Sequence, residues 1–558
     1  DAFDGDLLDD LFGVDDEVQK QHIAWAKGID VDDDNRNGDK TDRRQDLMGD
    51  PLHSKPLVLA YGSDDIRIVI GTNAGFLHMF KDSGDSVSES WAFMPQELIG
   101  NIPELRLNQN GNPKVYGVDG TPVSFFKDKN GDGVIGSDDN VWVFFGLRRG
   151  GHSYYALDVT NPDQPKLMWK IDNNTPGFSE LGQSWSTPKV AYLETQGDDP
   201  VLIFGAGYSI NKDGTGSVTP DNEGRGVFIV DAKTGALVKS FGSEYGIEHS
   251  VPASVSTLDS DYDGYTDRLY FADTGGYIWR ADLVGNDKSK WTVVKFADLA
   301  ETAAGQDRRF FNEPVVARME MRMTKEVTTT IDGESTTVTT KTDTPFDAIV
   351  IGSGSRPHPL YDGTEDVLFM LRDMNTISTL FNVDNAPEII TIADLYQLED
   401  TSPRDTIEQM EELTKDLSAT KGWYYPLSSS EKSLSPAVVL SGIAFFTSYI
   451  PSMEETEGTC SLSGGLGRIY AFSLNYGILI RSVIEIPRIP DTPEVVITTT
   501  SEEPCQGDDC KKEPGTIKVL GPAPTEITCR ENCDLIPELQ ESGTNRPVRQ
   551  YMVIDESL

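Results

Sequence analysis

Strand-length apolar runs recur along the chain in pairs, each pair divided by glycine or a short loop and closed by a polar turn. Ile66–Gly71 is followed by Gly75–Phe80, Val141–Gly146 by Ser153–Asp158, and Val201–Gly205 by Gly226–Asp231. The unit returns as Arg268–Asp273 with Tyr277–Asp282, Ala348–Gly352 with Val367–Arg372, and Ile443–Thr447 with Gly467–Phe472. Runs of this length, rich in β-branched and aromatic residues, predict strands. Their spacing, roughly 50 to 100 residues, exceeds the ~40–50 of common propeller blades. Each unit can bury only one face against a neighbour, so six or seven closed in a ring is the economical arrangement. The pattern predicts an all-β propeller of six or seven blades over residues 51–490, entered through residues 1–50. A pair of β-sandwiches is the competing arrangement.

Insertions account for the uneven spacing. Residues 322–344 are dense in Thr and Val around Asp332-Gly333, which predicts a protruding two-stranded ribbon. Ile407, Met410, Leu413 and Leu417 fall at helical spacing within 394–420, which places a helix between two blades. Asp15 to Lys27 predicts a short helix with Val18, Ile23 and Trp25 available to dock. From about Pro490, hydrophobic runs thin out, and 491–558 reads as a Cys-containing, loop-rich tail with a candidate ring-closing strand near Val548 to Ile554. No apolar run reaches the ~18 residues of a membrane helix. The opening Asp1-Ala2-Phe3-Asp4 shows neither a basic start nor an apolar signal core, as in a processed protein or part of a longer one.

Charge changes the picture of partners. The chain has 558 residues, 91 acidic against 48 basic, for a formal charge of −43. That sign excludes a nucleic-acid binder built on phosphate contacts and a polybasic membrane patch. It leaves solubility and the binding of hard cations through oxygen ligands. Four of the five cysteines, Cys505, Cys510, Cys529 and Cys533, crowd into the tail, with Cys460 apart. Two short disulfides or a zinc cluster would use them. No histidine lies in the tail and the spacing is irregular, which favours disulfides and an oxidising, extracytoplasmic setting.

Part of the acidity is patterned. Asp259, Asp261 and Asp263 alternate, and Gly264 follows at the sixth position. A curled loop brings those carboxylates together, and the Tyr265 carbonyl with Asp267 completes an oxygen cage of calcium size. A second stretch places Asp128, Asn130, Asp132, Gly133, the Val134 carbonyl and Asp139 at the spacing of an EF-hand-type loop between strands, the last as Asp rather than Glu. A third, within Asp30 to Asp42, has Asp33, Asn35, Asn37 and Gly38, but Arg44 stands at its closing position. Each is also compatible with an exposed acidic turn.

Catalytic signatures are sparse. Zinc-protease, Walker-type and nucleophile-elbow motifs do not occur, and the six histidines are scattered. Ala156-Leu157-Asp158 with Trp169, and Thr274 through Trp279, suggest the tryptophan docking of pyrroloquinoline-quinone, calcium-dependent periplasmic dehydrogenases. No two cysteines are adjacent, however, and the acidic loops are continuous rather than dispersed, so Trp169, Trp185 and Trp279 read as packing residues that lock blades.

The ordered phrases Met48–Pro56, Gly71–Phe80, Trp91–Pro95, Val118–Pro122, Val251–Ser254, Asp273–Asp282, Gly352–Pro359, Gly422–Pro426, Glu431–Pro436 and Cys460–Phe472 resemble the C-terminal domain of the PilY/PilC family. These are type IV pilus tip-associated adhesins and biogenesis factors. The resemblance covers about residues 15 to 480. It implies a modified seven-bladed propeller, no enzymatic activity, and Ca2+ held by Asp259, Asp261, Asp263, the Tyr265 carbonyl and Asp267. It also implies roles in pilus assembly, extension–retraction balance, twitching motility and adhesion. The implied partners are minor pilins, the pilus-tip complex and a host-cell or abiotic surface. The implied location is the pilus tip, outer surface or periplasm of a Gram-negative bacterium. Arg-Gly-Asp, the integrin-binding tripeptide of some members, does not occur.

Overall fold

The computed structural model describes residues 16–486, 490, 492, 494–498, 516–520 and 525–527, apart from 46, 110–112, 215–218, 302–306, 332–333, 362, 382–384, 400–405, 452–464 and 480–483. All five cysteines and the strand expected near Val548 lie outside the described residues.

Each predicted strand pair is the central pair of a larger sheet. The first sheet runs β1 (Leu57–Gly62), β2 (Asp65–Gly71), β3 (Leu77–Asp82) and β4 (Val87–Phe93). The second comprises β5 (Val123–Lys127), β6 (Asn140–Gly146), β7 (Tyr154–Asp158) and β8 (Lys166–Ile171). The third comprises β9 (Lys189–Ala191), β10 (Val201–Gly205), β11 (Val227–Asp231) and β12 (Leu237–Phe241). The fourth has β13 (Ser256–Leu258), β14 (Arg268–Ala272), β15 (Tyr277–Asp282) and β16 (Thr292–Asp298). The fifth is built on β17 (Val315–Ile331), β18 (Glu334–Gly352) and β19 (Val367–Asp373), with Gly422–Pro426 as its fourth strand. The sixth spans Val438–Leu440, Ile443–Ile450, Leu466–Ser473 and Ile484–Ile486, and a three-stranded sheet follows at Glu494–Thr498, Thr516–Leu520 and Thr525–Ile527. Short parallel strands, Ile390–Thr391 and Tyr396–Gln397, extend the fourth and fifth sheets. This is a β-propeller.

Blades pack through both faces of their central strands, which is why those strands read as continuous apolar runs. Val69, Val143 and Tyr155 share a cluster between the first and second blades. Phe144, Leu202 and Phe228 fill the next seam, and Ile203, Leu269 and Trp279 the third. Tyr270 and Phe369 join the fourth and fifth blades, and Leu368 and Phe446 the fifth and sixth.

Two side-chain devices set the spacing. Gly71, Gly146, Gly205 and Gly352 close the second strands of four blades, where the entry segment of the next blade crosses them. A Cβ on Gly205 would lie 2.3 Å from the Val251 carbonyl oxygen, and one on Gly71 2.3 Å from that of Val118. Indoles staple blade to blade: Trp91 donates to the Pro162 carbonyl at 2.8 Å, Trp169 to Ala232 at 2.9 Å and Trp423 to Leu474 at 2.9 Å. Trp279 joins the seam between the third and fourth blades, while its N–H stays within its own blade, on Asp273 at 2.8 Å.

The fourth and fifth blades also meet through buried charge. Arg268 donates to Asp347 at 2.6 Å, and Arg280 to Asp282 at 2.8 Å and Asp373 at 2.5 Å, with all five side chains almost wholly buried. Such a network contributes little net stability but strongly penalises loss of one member.

The ribbon forms as the sequence predicts. β17 and β18 pair without interruption from Val315↔Val350 to Ile331↔Glu334, well beyond the Asp347–Gly352 stretch that pairs with β19. Helix Ile407–Ser418 carries a capping box on Thr406 and Gln409. It is inserted within the fifth blade in chain order rather than between two blades, because Gly422–Pro426 returns to pair with β19. In space, Met410, Leu413 and Leu417 pack into the seam between the fifth and sixth blades. The N-terminal helix Asp16–Ala26 docks through Ile23 and Trp25 on Ile99 and Ile102. No helix among the described residues is long and apolar enough to cross a membrane. Along the axis lies a cavity of about 530 Å³, lined by the first strands of five blades, β5, β9, β13, β17 and Val438–Leu440.

Candidate metal centre

The loop 259–267 joins β13 to β14. Asp259 folds over its own backbone, accepting the Tyr262 N–H at 2.6 Å, the Asp263 N–H at 3.2 Å and the Gly264 N–H at 2.9 Å. Asp263 in turn accepts the Tyr265 N–H at 2.8 Å. The curl demands left-handed backbone at Gly264, φ +93°, and at Tyr262, φ +67°. Its result is that Asp259, Asp261 and Asp263 each present a carboxylate oxygen within 4.8 Å of the others, the one such acidic or Cys/His group among the described residues. Three mutually repelling carboxylates, of which Asp259 and Asp263 are held by backbone donors, form an acceptor-only, mostly exposed cradle that suits a hard divalent cation.

Asp267 stands apart from that group. Its Oδ1 accepts the Ser260 N–H at 3.0 Å and its Oδ2 the Ser260 hydroxyl at 2.7 Å. Tyr265 is half-buried, and its N–H is committed to Asp263. The loop also leans on the fifth blade. Ser260 Oγ lies 3.0 Å from Ser378 Oγ, and Arg318 donates to the Tyr262 hydroxyl at 3.4 Å. Arg318 pairs directly with Asp347 across β17 and β18, at the root of the ribbon. Ser260, Tyr262 and Arg318 carry no signal in the spacing, because the first two occupy non-ligand positions and the third lies in another blade.

The other acidic loops share the opening geometry. Asp128 accepts the Gly133 N–H at 2.7 Å and Asp33 the Gly38 N–H at 3.1 Å, each five residues on, as Asp259 does from Gly264. Backbone donors, the Gly133 N–H foremost, hold the Asp128 carboxyl below its ordinary range. Asn130 accepts the Asp132 N–H at 3.0 Å, and Asp132 accepts the Val134 N–H at 2.8 Å. Asp139 is buried and takes the Lys129 and Gly136 N–H groups at 2.9 and 2.7 Å. The loop therefore has its oxygens ordered by backbone, but Asp128, Asp132 and Asp139 are not gathered as the 259–263 trio is. In the third loop, Asp42 receives the side-chain amides of Asn35 and Asn37 at 2.9 and 2.7 Å. Arg44 lies 3.9 Å from the Trp25 ring centroid, stacked on it.

The tryptophans that suggested a quinone site belong to the scaffold. Trp169 staples the second blade to the third, and Trp279 packs in the seam between the third and the fourth. The histidines do not converge. Three examples are His78 on Glu89, His152 near Glu223 and His249 beside Lys212.

The family model described as the PilY1 beta-propeller domain matches residues 56–354. A type IV pilus biogenesis factor PilY1 of Pseudomonas aeruginosa strain UCBPP-PA14 is 31% identical over 306 residues, 48% of this chain and 24% of that protein. A PilY1 homolog of Xylella fastidiosa is 24% identical over 518 residues, 85% of this chain and 30% of that one. The chain thus spans less than a third of the length of each of these two curated relatives. The crystal structure of the Pseudomonas aeruginosa PilY1 C-terminal domain matches with a TM-score of 0.55 at 18% identity, covering 83% of this chain and 93% of that one. At that identity the likeness speaks to the fold.

Proposed function

The chain belongs to the PilY1 beta-propeller family, and from that premise we propose that it is a non-enzymatic, calcium-binding part of a type IV pilus biogenesis factor. It acts outside the cytoplasm, with minor pilins and the pilus-tip complex as partners, and supports pilus assembly, twitching motility and attachment to surfaces. The observation that carries the calcium reading is the convergence of Asp259, Asp261 and Asp263 on one point. Bound there, calcium would supply charge neutralisation. The Asp259–Asp263 carboxylates would hold it, with Asp267 available from Ser260 and the Tyr265 carbonyl at the seventh position of the loop.

The ordered loop would favour one state of the seam between the fourth and fifth blades, because Ser260 and Tyr262 touch Ser378 and Arg318 there. A ligand shifts such an equilibrium only by its differential affinity for the two states. The test is a strain carrying Asp261→Ala with Asp263→Ala in the whole protein. Reduced surface piliation or twitching at normal protein level is expected. Unchanged piliation and motility would refute the calcium role in pilus function.

A further inference from the structure

At the end of the ring where second strands run into their loops, Arg148 sits among residues from other blades. It is 8% exposed and adopts left-handed backbone, φ +52°, a conformation that strains a non-glycine residue. Its guanidinium lies 4.1 Å from the Trp185 ring centroid, and Trp185 is backed by Tyr208 at 4.3 Å. Arg149 flanks the same indole at 5.0 Å and binds Asp213 at 2.9 Å. Arg148 also donates to Asp119 at 3.2 Å, and its Nη1 lies 2.8 Å from His53 Nδ1. Arg356, from the loop after β18, reaches the sixth-blade entry and donates to the Leu434 carbonyl.

Asp119 is shared. His53 approaches it at 2.8 Å, Arg148 at 3.2 Å and the Asn73 amide at 3.3 Å. Its side chain is fully buried, whereas those of His53 and Arg149 keep 23% and 19% exposure, and Arg356 is half-buried. Solvent therefore reaches Arg149 and Arg356 but not Asp119, while the Asp213 side chain that pairs with Arg149 keeps 43% exposure. Burial, and after it the Arg356 charge, push Arg148 down to about 10. Two guanidiniums in mutual repulsion are relieved by an anion between them. In a chain of charge −43, general solubility accounts for no such concentration of positive charge.

We propose that this axial mouth binds a carboxylate presented by a protein partner, an acidic side chain or chain end. Arg149 and Arg356 would meet it at the rim, with Arg148 fixed beneath by Trp185 and Asp119. Arginine forks match carboxylate geometry, and half-buried Trp185, backed by the buried rings of Tyr208 and Phe311, supplies the apolar surround typical of interface anchors. The assignment is independent of the acidic loops.

The test is isothermal titration of the full chain with a blocked pentapeptide carrying one central glutamate, against its glutamine counterpart. The glutamate peptide should bind and the glutamine peptide should bind at least tenfold more weakly, with affinity falling as salt screens the contact. Arg149→Gln and Arg356→Gln, both at part-exposed positions, should each weaken the glutamate peptide about tenfold without moving the unfolding midpoint. Equal binding of both peptides, no binding, or full affinity in both variants would overturn the proposal. Tighter binding of a uronic-acid oligosaccharide than of the peptide would overturn the assignment to a protein partner.

Discussion

Asp267 and Ser260 are bound twice, the carboxylate accepting the serine N–H at 3.0 Å and its hydroxyl at 2.7 Å. The contact closes the acidic loop across seven residues and holds Asp267 on Ser260, outside the Asp259–Asp263 group.

Ser260→Ala removes the shorter of those two bonds and the contact with Ser378, while leaving every carboxylate in place. Outer anchors of a metal ligand commonly govern affinity by about ten- to a hundredfold. Calcium affinity measured by calorimetry should fall about tenfold, with metal stoichiometry retained.

Gly205 has no room for a methyl group, since its Cβ would meet the Val251 carbonyl oxygen at 2.3 Å. Gly205→Ala should cost about 2–3 kcal/mol in denaturant unfolding as two blades are pushed apart. Gly100, with nothing within 4 Å of its would-be Cβ, should accept alanine within about 0.5 kcal/mol.

His249 is buried beside Lys212, 3.4 Å from its Nζ. Burial, and next the lysine charge, push the imidazole down to about 4. Between pH 4 and the ordinary value near 6.5 the unfolded chain therefore binds a proton that the native state refuses. Stability contributed by neutral His249 is complete above pH 6.5 and is lost as pH falls toward 4. His249→Asn should flatten the stability–pH curve across that window by roughly 3 kcal/mol relative to the parent chain.

The central strands were legible in the sequence because burial on both faces made Val141–Gly146 or Val201–Gly205 continuous apolar runs. Their flanking strands were not. Lys189–Ala191 and Ser256–Leu258 are three residues long, and Val87–Phe93 is largely exposed, so neither length nor alternation marks them. The ribbon was legible from Asp332-Gly333 and its threonines, and the helix from Met410, Leu413 and Leu417. Its place inside the fifth blade was hidden, since strand pairing at Gly422–Pro426 is a long-range choice. Alternation with a sixth-position glycine revealed the Asp259–Asp263 cradle. The turn of Asp267 onto Ser260, and the reach of Arg318 to Tyr262, depend on packing between blades that no local spacing encodes.

Calcium content of the purified full chain measures the central claim most directly. Elemental analysis after equilibration with calcium should find one ion fewer per chain in the Asp261→Ala, Asp263→Ala double variant than in the parent, with unchanged β-sheet circular dichroism. Equal calcium content in the two proteins would contradict the assignment of the metal centre to this loop.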